Sequence, residues 1–323
     1  MRVLITGMDG FAGSYLAELL LRETHWSLIG VSRSTEGERA SNRVQWWRLD
    51  LRDPDGIRRL MKYERPDLVI HLAAQSHVPT AWKDPWATVE NNLRGQINLL
   101  EGILINRLTP RVLIVTSNEV YGAPALSSDL PFTESSPLRP NNPYGVSKAA
   151  QDLSALQYHM SHKLDLLVAR PFNHIGPRQR EHFVVSDFAR QIALIEAGRQ
   201  EPVMRLGNMA AQRDFTDVRD VVRAYFLMIK LADGGRAYNV CSGTPRSIQS
   251  VLDALFAMTP ARIRVESDPS KFRPLDTPVS YGDPGRLREA TGWAPAIPFE
   301  QTLADILNDW RARVAADNVA SAA

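Results

Sequence analysis

Residues 7–13 read GMDGFAG, and they stand between the apolar segment RVLIT of residues 2–6 and the helical pattern SYLAELLLRE of residues 14–23. Glycines at positions 7, 10 and 13 permit a tight turn in which backbone N–H groups approach a phosphate closely. Because a strand pattern precedes this turn and a helix pattern follows it, the stretch predicts binding of a dinucleotide pyrophosphate by Gly7, Gly10, Phe11 and Gly13. A glycine-rich turn that binds nothing is the alternative interpretation.

The first half of the chain repeats this alternation of strand and helix patterns. Further strands are predicted at SLIGVSR (27–33), DLVIHLAA (67–74) and RVLIVTS (111–117), with a loop following the first of them. Helices are predicted at DPDGIRRLMKY (53–63), at ATVENNLRGQINLLEGIL (87–104) and from about Pro143. Apolar strands that alternate with helices predict an α/β fold of the Rossmann type, a doubly wound parallel sheet covered on both faces.

Prolines interrupt the second half and divide it into shorter elements. We therefore predict a dinucleotide-binding domain over residues 1–170, to which residues from about 214 to 242 return. A smaller α/β lobe is predicted from residues 171–213 and 243–323. This C-terminal lobe is the expected site of the substrate.

The composition is typical of an ordinary globular protein. Of 323 residues, 44% are hydrophobic and 23% are charged, and the formal net charge is +2 without long blocks of one sign. Neither nucleic acid nor a membrane surface is therefore an expected partner. A single cysteine, Cys241, leaves no internal disulfide and favours the reducing cytoplasm, and no segment resembles a signal peptide or a membrane span.

The end of the second predicted strand suggests which dinucleotide is bound. It reads Ser32-Arg33-Ser34, where an acidic residue would hold the ribose hydroxyls of NAD. A guanidinium between two hydroxyls suits a 2′-phosphate, which predicts NADP(H) as the preferred cofactor, with NAD(H) also possible. A solvated arginine in a loop is the alternative.

Candidate catalytic groups lie in NNPYGVSKAA (141–150) and VTSNEVYG (115–122). Tyr144 and Lys148 are four residues apart at the start of a helix, so their side chains share one face, and a nearby ammonium would ease ionisation of the phenol. Ser117 ends the fourth predicted strand, at the edge where such sheets bind ligands, and can hydrogen-bond a reacting oxygen. The Tyr-x-x-x-Lys spacing also occurs by chance on solvated helices.

Metal and thiol chemistry are not predicted. His159 and His162 are three residues apart near a helix end, but the strand-like DLLVAR that follows places Asp165 off a shared ligand face. Cys241 follows an apolar strand pattern and is expected to be a core residue.

In these segments the sequence resembles the extended short-chain dehydrogenase/reductase family. The landmarks that carry the resemblance, in order, are the glycine turn, HLAAQS (71–76), NNLRG (91–95), the serine strand end, NPYGVSK (142–148), RDFTDVRD (213–220), YNVCSG (238–243) and TGWAP (291–295). The resemblance implies a Rossmann domain that binds NAD(P) and a smaller lobe that binds a nucleotide sugar. It also implies cofactor contacts from Asp50, Leu51, Leu72, Ala73, Ala74, Asn92, Thr116, Tyr144, Lys148 and Pro171.

ARPFNHIGPRQREHFVVSDFARQI (169–192) and KFRPLDTPVSYGD (271–283) resemble the GDP-mannose branch of this family, most of all its GDP-4-keto-6-deoxy-D-mannose reductases. The expected partner is then a GDP-sugar. Arginine forks pair well with a diphosphate, an amide both donates and accepts, and a carboxylate accepts from ribose or guanine. The predicted substrate contacts are Ser76, Asn173, Phe183, Val184, Arg190, Arg213, Arg273 and Asp276.

This resemblance implies NADPH-dependent reduction of a C4 ketone to GDP-D-rhamnose, with Tyr144 as the proton donor and Lys148 as its support. Glu119 leaves a second reaction open, because sister GDP-mannose 4,6-dehydratases carry a glutamate there as the base, and a nucleotide-sugar epimerase is a related alternative. A non-catalytic NADPH sensor is a more distant one. The C4 configuration of the product stays open, and family members suggest a homodimer formed through the helices from Pro85 and Pro143.

Overall fold

The computed structural model describes residues 1–34, 42–271 and 277–322. In chain order its strands are β1 (Arg2–Thr6), β2 (Ser27–Ser32), β3 (Val44–Arg48), β4 (Leu68–His71), β5 (Arg111–Val115), β6 (Leu166–Pro171), β7 (Asn173–Ile175), β8 (Val203–Leu206), β9 (Gln212–Asp217), β10 (Arg236–Val240), β11 (Pro245–Ser247), β12 (Arg264–Ser267) and β13 (Val279–Ser280). Its α-helices are α1 (Phe11–Glu23), α2 (Pro54–Glu64), α3 (Val78–Lys83), α4 (Pro85–Val89), α5 (Gly95–Ile105), α6 (Pro143–His162), α7 (Val184–Glu196), α8 (Val218–Leu231), α9 (Ile248–Phe256), α10 (Gly285–Thr291) and α11 (Phe299–Ala322).

The main sheet contains seven strands in the order β10, β6, β5, β4, β1, β2, β3. Every neighbouring pair is parallel. The chain moves outward from β1 to β2 and β3 on one side, then returns to β4 on the other side. In such open sheets a ligand binds outside the carboxyl ends of the strands, where the order reverses. The glycine turn after β1 lies at that point, and the predicted doubly wound α/β fold is confirmed.

Alternate residues of the strands face two separate cores, as a sheet covered on both sides requires. On one face, Val3 and Ile5 of β1 pack with α1 and α8. On the other face, Leu4 packs with α2, α5 and α6. Both layers bury continuous apolar surface, and they fix the strand ends that carry the functional residues.

The second half of the chain adds a smaller layer. Strands β11, β9 and β13 form one sheet that β7 joins through β9, and β12 pairs with β8. Helices α7, α9 and α11 enclose an apolar core against it. Strand β10 lies in the main sheet, whereas β9 lies in the smaller one. The division into two domains, with return of about 214–242 to the first, stays a prediction.

Two local features differ from the sequence expectation. Residues expected as a loop contain β3, whose sequence VQWWR mixes apolar and polar side chains and is only half-buried at the sheet edge. The predicted helix over 87–104 is present but contains a π-helical turn, Glu90–Arg94, between α4 and α5. Neither feature has a simple period in the sequence, because an edge strand and a widened turn both depend on neighbouring elements.

Among the helices in the described ranges, none is both long and apolar enough to cross a membrane.

Candidate active site

The glycine turn has the tight geometry that the sequence predicts. A Cβ on Gly13 would lie 2.2 Å from the Gly7 carbonyl oxygen and 2.7 Å from Met8 Cα. Gly7 has φ of +68°, and a Cβ there would lie 3.0 Å from the backbone of Ala73. Only glycine fits at these two positions without a shift of the backbone.

The start of α1 suits an anion. Its N-cap is Gly10, which supplies no side-chain cap, and no acidic residue lies in its first turn. Its first N–H groups are therefore available to a pyrophosphate, and the helix dipole favours negative charge there. The residues of this turn fit a dinucleotide.

The end of β2 lies beside the glycine turn. Ser32 Oγ donates to Asp9 Oδ2 over 2.5 Å, and Ser34 Oγ donates to the same oxygen over 3.3 Å. Arg33 is exposed between these two serines. Asp9 was not singled out from the sequence, because nothing in the local pattern indicates that its carboxylate reaches across to β2.

Asp50 and Leu51 follow β3 at the same edge of the sheet. Asp50 accepts from Arg52 over 2.7 Å. This hydrogen bond is the main cause that lowers the pKa of Asp50, and the charge of Arg33 lowers it further. Arg33 and Asp50 thus belong to one charged neighbourhood at the sheet edge.

Ser117, Tyr144 and Lys148 come together at the carboxyl end of β5. Asn142 accepts from the Gly145 N–H over 2.8 Å and Pro143 occupies the first turn, so NNPYG both begins α6 and positions Tyr144. Lys148 Nζ donates to the Val115 carbonyl over 2.9 Å. All three site side chains are buried.

The electrostatics of Tyr144 differ from the sequence expectation. Burial raises the pKa of its phenol, the hydrogen bond with Ser117 opposes this shift, and the charge of Glu119 adds to it. Burial also lowers the pKa of Lys148 to about 7. The expected easing of phenol ionisation by a neighbouring ammonium is therefore absent here, because Lys148 is desolvated and bonded to backbone.

Glu119 stands close to this group. Its Oε2 accepts from Asn142 Nδ2 over 2.7 Å, and its backbone N–H donates to Ser117 Oγ over 3.2 Å. The half-buried carboxylate is thus fixed between the strand end and the first turn of α6. It can orient Tyr144 electrostatically or accept a proton from a bound molecule.

A buried polar network supports the site, and it was not predicted from the sequence. Asn92 accepts from the Gln75 N–H over 2.7 Å and donates to Ser147 Oγ over 2.9 Å. It therefore fastens the loop after β4 to α6, and its cofactor contact stays a prediction. In the sequence, the only indication of this network was that polar residues such as Asn92 and Ser147 stand at helix positions that are usually buried and apolar.

His71 extends that network under the site. Its Nδ1 lies 2.8 Å from Thr6 Oγ1, and its Nε2 lies 3.3 Å from Gln151 Nε2. Burial, together with the charge of Lys148, lowers the pKa of His71 to about 3. The ring is therefore neutral near physiological pH and links β1, β4 and α6.

The other predicted cofactor residues border the same edge. Leu72, Ala73 and Ala74 follow β4 and are half-buried, and Pro171 ends β6 and is buried. Thr116 Oγ1 donates to the Ala169 carbonyl over 3.1 Å. Their contacts with a cofactor stay predictions.

The predicted substrate residues lie on several elements. Ser76 is exposed after β4, Asn173 begins β7, Phe183 caps α7, and Val184 and Arg190 lie on α7. The Oδ1 atom of Asn173 is buried and has no hydrogen-bond partner in the described part of the chain. Such an unsatisfied acceptor is unusual, and it is available to a donor on a bound molecule.

Arg213 lies on β9, where its Nη1 donates to the Thr277 carbonyl over 2.7 Å. Arg273 and Asp276, the other predicted contacts of this group, lie outside the described residues. Strand β13 connects Arg213 to the catalytic group, by which we mean Ser117, Tyr144 and Lys148. Ser280 of β13 pairs with Arg213, and its Oγ accepts from Nδ2 of Asn118, the residue after Ser117, over 3.1 Å.

One further contact escaped the sequence analysis. The rings of His77, after β4, and His182, before α7, meet edge to face with centroids 5.2 Å apart. Across the described ranges, no three histidine, cysteine or acidic side chains are grouped to hold a metal ion. Cys241 is buried, and burial raises the pKa of its thiol, as the predicted core position requires.

Known proteins share this architecture. The family model for GDP-mannose 4,6-dehydratase matches residues 4–306. GDP-6-deoxy-D-mannose reductase of Pseudomonas aeruginosa is 38% identical over 314 residues, which cover 97% of this chain and 98% of that protein.

Solved structures agree with the sequence matches. The structure of RMD from Pseudomonas aeruginosa complexed with NADPH has a TM-score of 0.85 at 36% identity, and the match covers 97% of this chain and 99% of that one. UDP-glucose 4-epimerase of Thermus thermophilus in complex with NAD has a TM-score of 0.85 at 30% identity, with 96% and 99% covered. Proteins with this fold therefore bind either dinucleotide.

Proposed function

The chain belongs to the GDP-mannose 4,6-dehydratase family within the extended short-chain dehydrogenases/reductases, and we propose that it is a GDP-6-deoxy-D-mannose reductase. The reaction is NADPH-dependent reduction of the C4 ketone of GDP-4-keto-6-deoxy-D-mannose to GDP-D-rhamnose. NADP(H) is the preferred cofactor and NAD(H) is possible. The observation that carries the proposal is the meeting of buried Ser117, Tyr144 and Lys148 at the carboxyl end of β5, in a chain 38% identical to such a reductase.

NADPH, when bound, supplies the hydride. Gly7, Gly10 and Gly13 would hold its pyrophosphate, and Lys148 would hold the ribose next to the nicotinamide. Tyr144 donates the proton to the C4 oxygen, while Ser117 hydrogen-bonds that oxygen and orients it. The phenol is protonated near neutral pH, because its ordinary pKa is about 10 and burial raises it further.

Lys148 and Glu119 are both titratable neighbours of this acid. With a pKa lowered to about 7, Lys148 can gain or lose a proton near neutral pH, one helical turn from Tyr144. The Glu119 carboxylate raises the pKa of Tyr144 through its charge. The Glu119 charge therefore disfavours the tyrosinate that forms when Tyr144 donates its proton.

A second candidate function is dehydration of GDP-mannose. It is favoured by one observation, the Glu119 carboxylate that Asn142 fixes beside Tyr144, where a base could remove a proton next to a keto carbon. The match to a dehydratase family model is consistent with that chemistry. We rank it second because the chain is 38% identical to the reductase but 28% identical to the dehydratase of Yersinia enterocolitica.

Two of the substrate contacts proposed from the sequence, Arg213 and Asn173, are supported by their placement. Arg213 lies on the strand next to β13, which Asn118 ties to the catalytic group, so a diphosphate held there would leave the sugar near Tyr144. The unsatisfied Oδ1 of Asn173 would accept from a sugar hydroxyl. The proposed partner is thus a GDP-sugar.

A homodimer is part of the proposal. Val146, Leu153 and Met160 lie seven residues apart on α6 and are 48%, 58% and 68% exposed. Trp86 of α4, which packs against α6, is 74% exposed. Seven-residue spacing places the three side chains on one helical face, and an apolar stripe of this kind suits pairing with a second copy.

The proposed setting is the cytoplasm, supported by the single buried cysteine.

The test is NADPH oxidation on addition of freshly generated GDP-4-keto-6-deoxy-D-mannose, with the product identified by NMR. Oxidation that yields GDP-D-rhamnose is the expected result, and the configuration at C4 distinguishes it from the talose epimer. If GDP-mannose is converted to the keto sugar and NADPH is not consumed, the dehydratase is the correct assignment.

A further inference from the structure

Asp9 is an acidic residue within a turn that otherwise suits an anion. It lies between Gly7 and Gly10, its side chain is exposed, and its Oδ2 accepts from Ser32 Oγ over 2.5 Å. Ser34 Oγ lies 3.3 Å from the same oxygen. The Asp9 carboxylate therefore accepts hydrogen bonds from the hydroxyl donors at the end of β2.

These donors are the groups from which the sequence predicts a preference for NADPH. In folds of this type, the end of the second strand meets the adenosine ribose, where an acid accepts from a free 2′-hydroxyl and an arginine accommodates a 2′-phosphate. Here both kinds of group are present. Arg33 supplies the guanidinium next to Ser32, and Asp9 supplies an acid from the glycine turn.

The two charges act in opposite directions on the cofactor. A 2′-phosphate that takes hydrogen bonds from Ser32 and Ser34 must displace Asp9 or lie beside its negative charge. A free 2′-hydroxyl can instead donate to the Asp9 carboxylate. The Arg33 guanidinium attracts a 2′-phosphate strongly but interacts only weakly with an uncharged 2′-hydroxyl.

We propose that Asp9 is a specificity-determining residue of the adenosine subsite, which weakens NADPH binding relative to NADH and so limits the preference that Arg33 creates. The proposal rests on the proposed function only in assuming that the turn binds a nicotinamide dinucleotide. Asp9 and Arg33 together make the site able to accept both cofactors.

The test is isothermal titration calorimetry of the full-length protein with NADPH and with NADH, without sugar substrate. Asp9→Asn keeps the size and an acceptor but removes the charge, and we expect it to raise the NADPH to NADH affinity ratio by about tenfold. Arg33→Ala is expected to lower the ratio by a similar factor. Glu23→Gln removes an equal charge at the far end of α1 and should leave the ratio unchanged.

Asp9→Ser serves as a second variant in case Asp9→Asn fails to fold, and the same rise is expected. A ratio that stays within twofold of the wild-type value in a folded Asp9 variant overturns the role of Asp9 while leaving the proposed function in place. A wild-type protein that binds neither dinucleotide overturns both proposals.

Discussion

Lys148 Nζ is hydrogen-bonded to the Val115 carbonyl at 2.9 Å, so the lysine that follows Tyr144 by one helical turn is bonded to the end of β5. It is 3% exposed, and burial lowers its pKa to about 7. In the unfolded chain Lys148 keeps the ordinary lysine pKa of about 10.4. At pH values between about 7 and about 10.4, the unfolded chain therefore binds a proton at Lys148 that the folded protein lacks. This difference makes stability depend on pH.

We expect the free energy of unfolding of the cofactor-free protein to rise from pH 7 to pH 9 through Lys148. The slope from this residue is at most about 1.4 kcal/mol per pH unit, because the unfolded state binds up to one more proton. Lys148→Met should remove this component, whereas Lys83→Met, at an exposed position on α3, should not. Urea denaturation at pH 7, 8 and 9 measures it, and parallel pH profiles for wild type and Lys148→Met would contradict the expectation.

Tyr144→Phe should separate binding from chemistry. The variant keeps the ring but loses the proton that the C4 oxygen needs, so turnover should fall about 10²- to 10⁴-fold while NADPH affinity stays near the wild-type value. Steady-state kinetics and calorimetry measure the two quantities. Tyr158→Phe is the matched control, because Tyr158 lies on the same helix and donates to Glu101. Unchanged turnover in Tyr144→Phe would assign the proton donor elsewhere.

Gly13→Ala should damage the dinucleotide turn. Its Cβ would stand 2.2 Å from the Gly7 carbonyl oxygen, and relief of that clash moves the backbone that binds the pyrophosphate. We expect a loss of about 2 kcal/mol in unfolding free energy and at least about tenfold weaker NADPH binding. Denaturation and calorimetry measure both effects.

Gly198→Ala is the control for that change. A Cβ at Gly198 has no neighbour within 4 Å, and the only cost arises from its φ of +67°. We expect a loss of about 1 kcal/mol in stability and no change in NADPH affinity. Equal effects of the two substitutions on NADPH binding would show that Gly13 has no special role in the turn.

The sequence predicts the parts of this protein that depend on short-range patterns. The glycine turn follows from strand, turn and helix signals within residues 2–23, and the shared face of Tyr144 and Lys148 follows from helical spacing. Long-range contacts are different. No pattern indicates that Lys148 bonds to Val115, or that Asp9 accepts from Ser32, because these partners are 33 and 23 residues apart. The first pair meets only when α6 packs on β5, and the second only when β1 pairs with β2.

The pKa of Tyr144 illustrates the same limit. Spacing along α6 predicts an ammonium nearby, but the shift depends on desolvation by all the elements that bury the phenol. Strand β3 was missed for a related reason, since its pairing with β2 stabilises residues whose sequence VQWWR does not alternate regularly between apolar and polar side chains.

A buried ion pair next to the site should be costly to break. Arg170 Nε and Nη2 each donate to Asp152 over 2.8 Å, and Asp152 is completely buried. Asp152→Asn leaves the Arg170 charge buried without its partner, so we expect a loss of about 3–5 kcal/mol in unfolding free energy. Chemical denaturation measures it. Glu23→Gln breaks the exposed Arg22–Glu23 pair and should cost less than about 1 kcal/mol. Similar losses for the two variants would contradict the importance of burial.

The apolar stripe on α6 predicts the effect of one charge on assembly. Leu153 is 58% exposed at the centre of the stripe, between Val146 and Met160. In the proposed homodimer Leu153→Glu would bury an unpaired carboxylate at the interface, whereas in a monomer the new charge would remain in water at little cost. We therefore expect the variant to be a folded monomer by light scattering coupled to size-exclusion chromatography, while the wild type has twice that mass. Tyr63→Glu, at a position on α2 that is 68% exposed, adds the same charge outside the stripe and should remain dimeric. A wild-type protein that elutes as a monomer, or a Leu153→Glu variant that stays dimeric, would exclude this face as the interface.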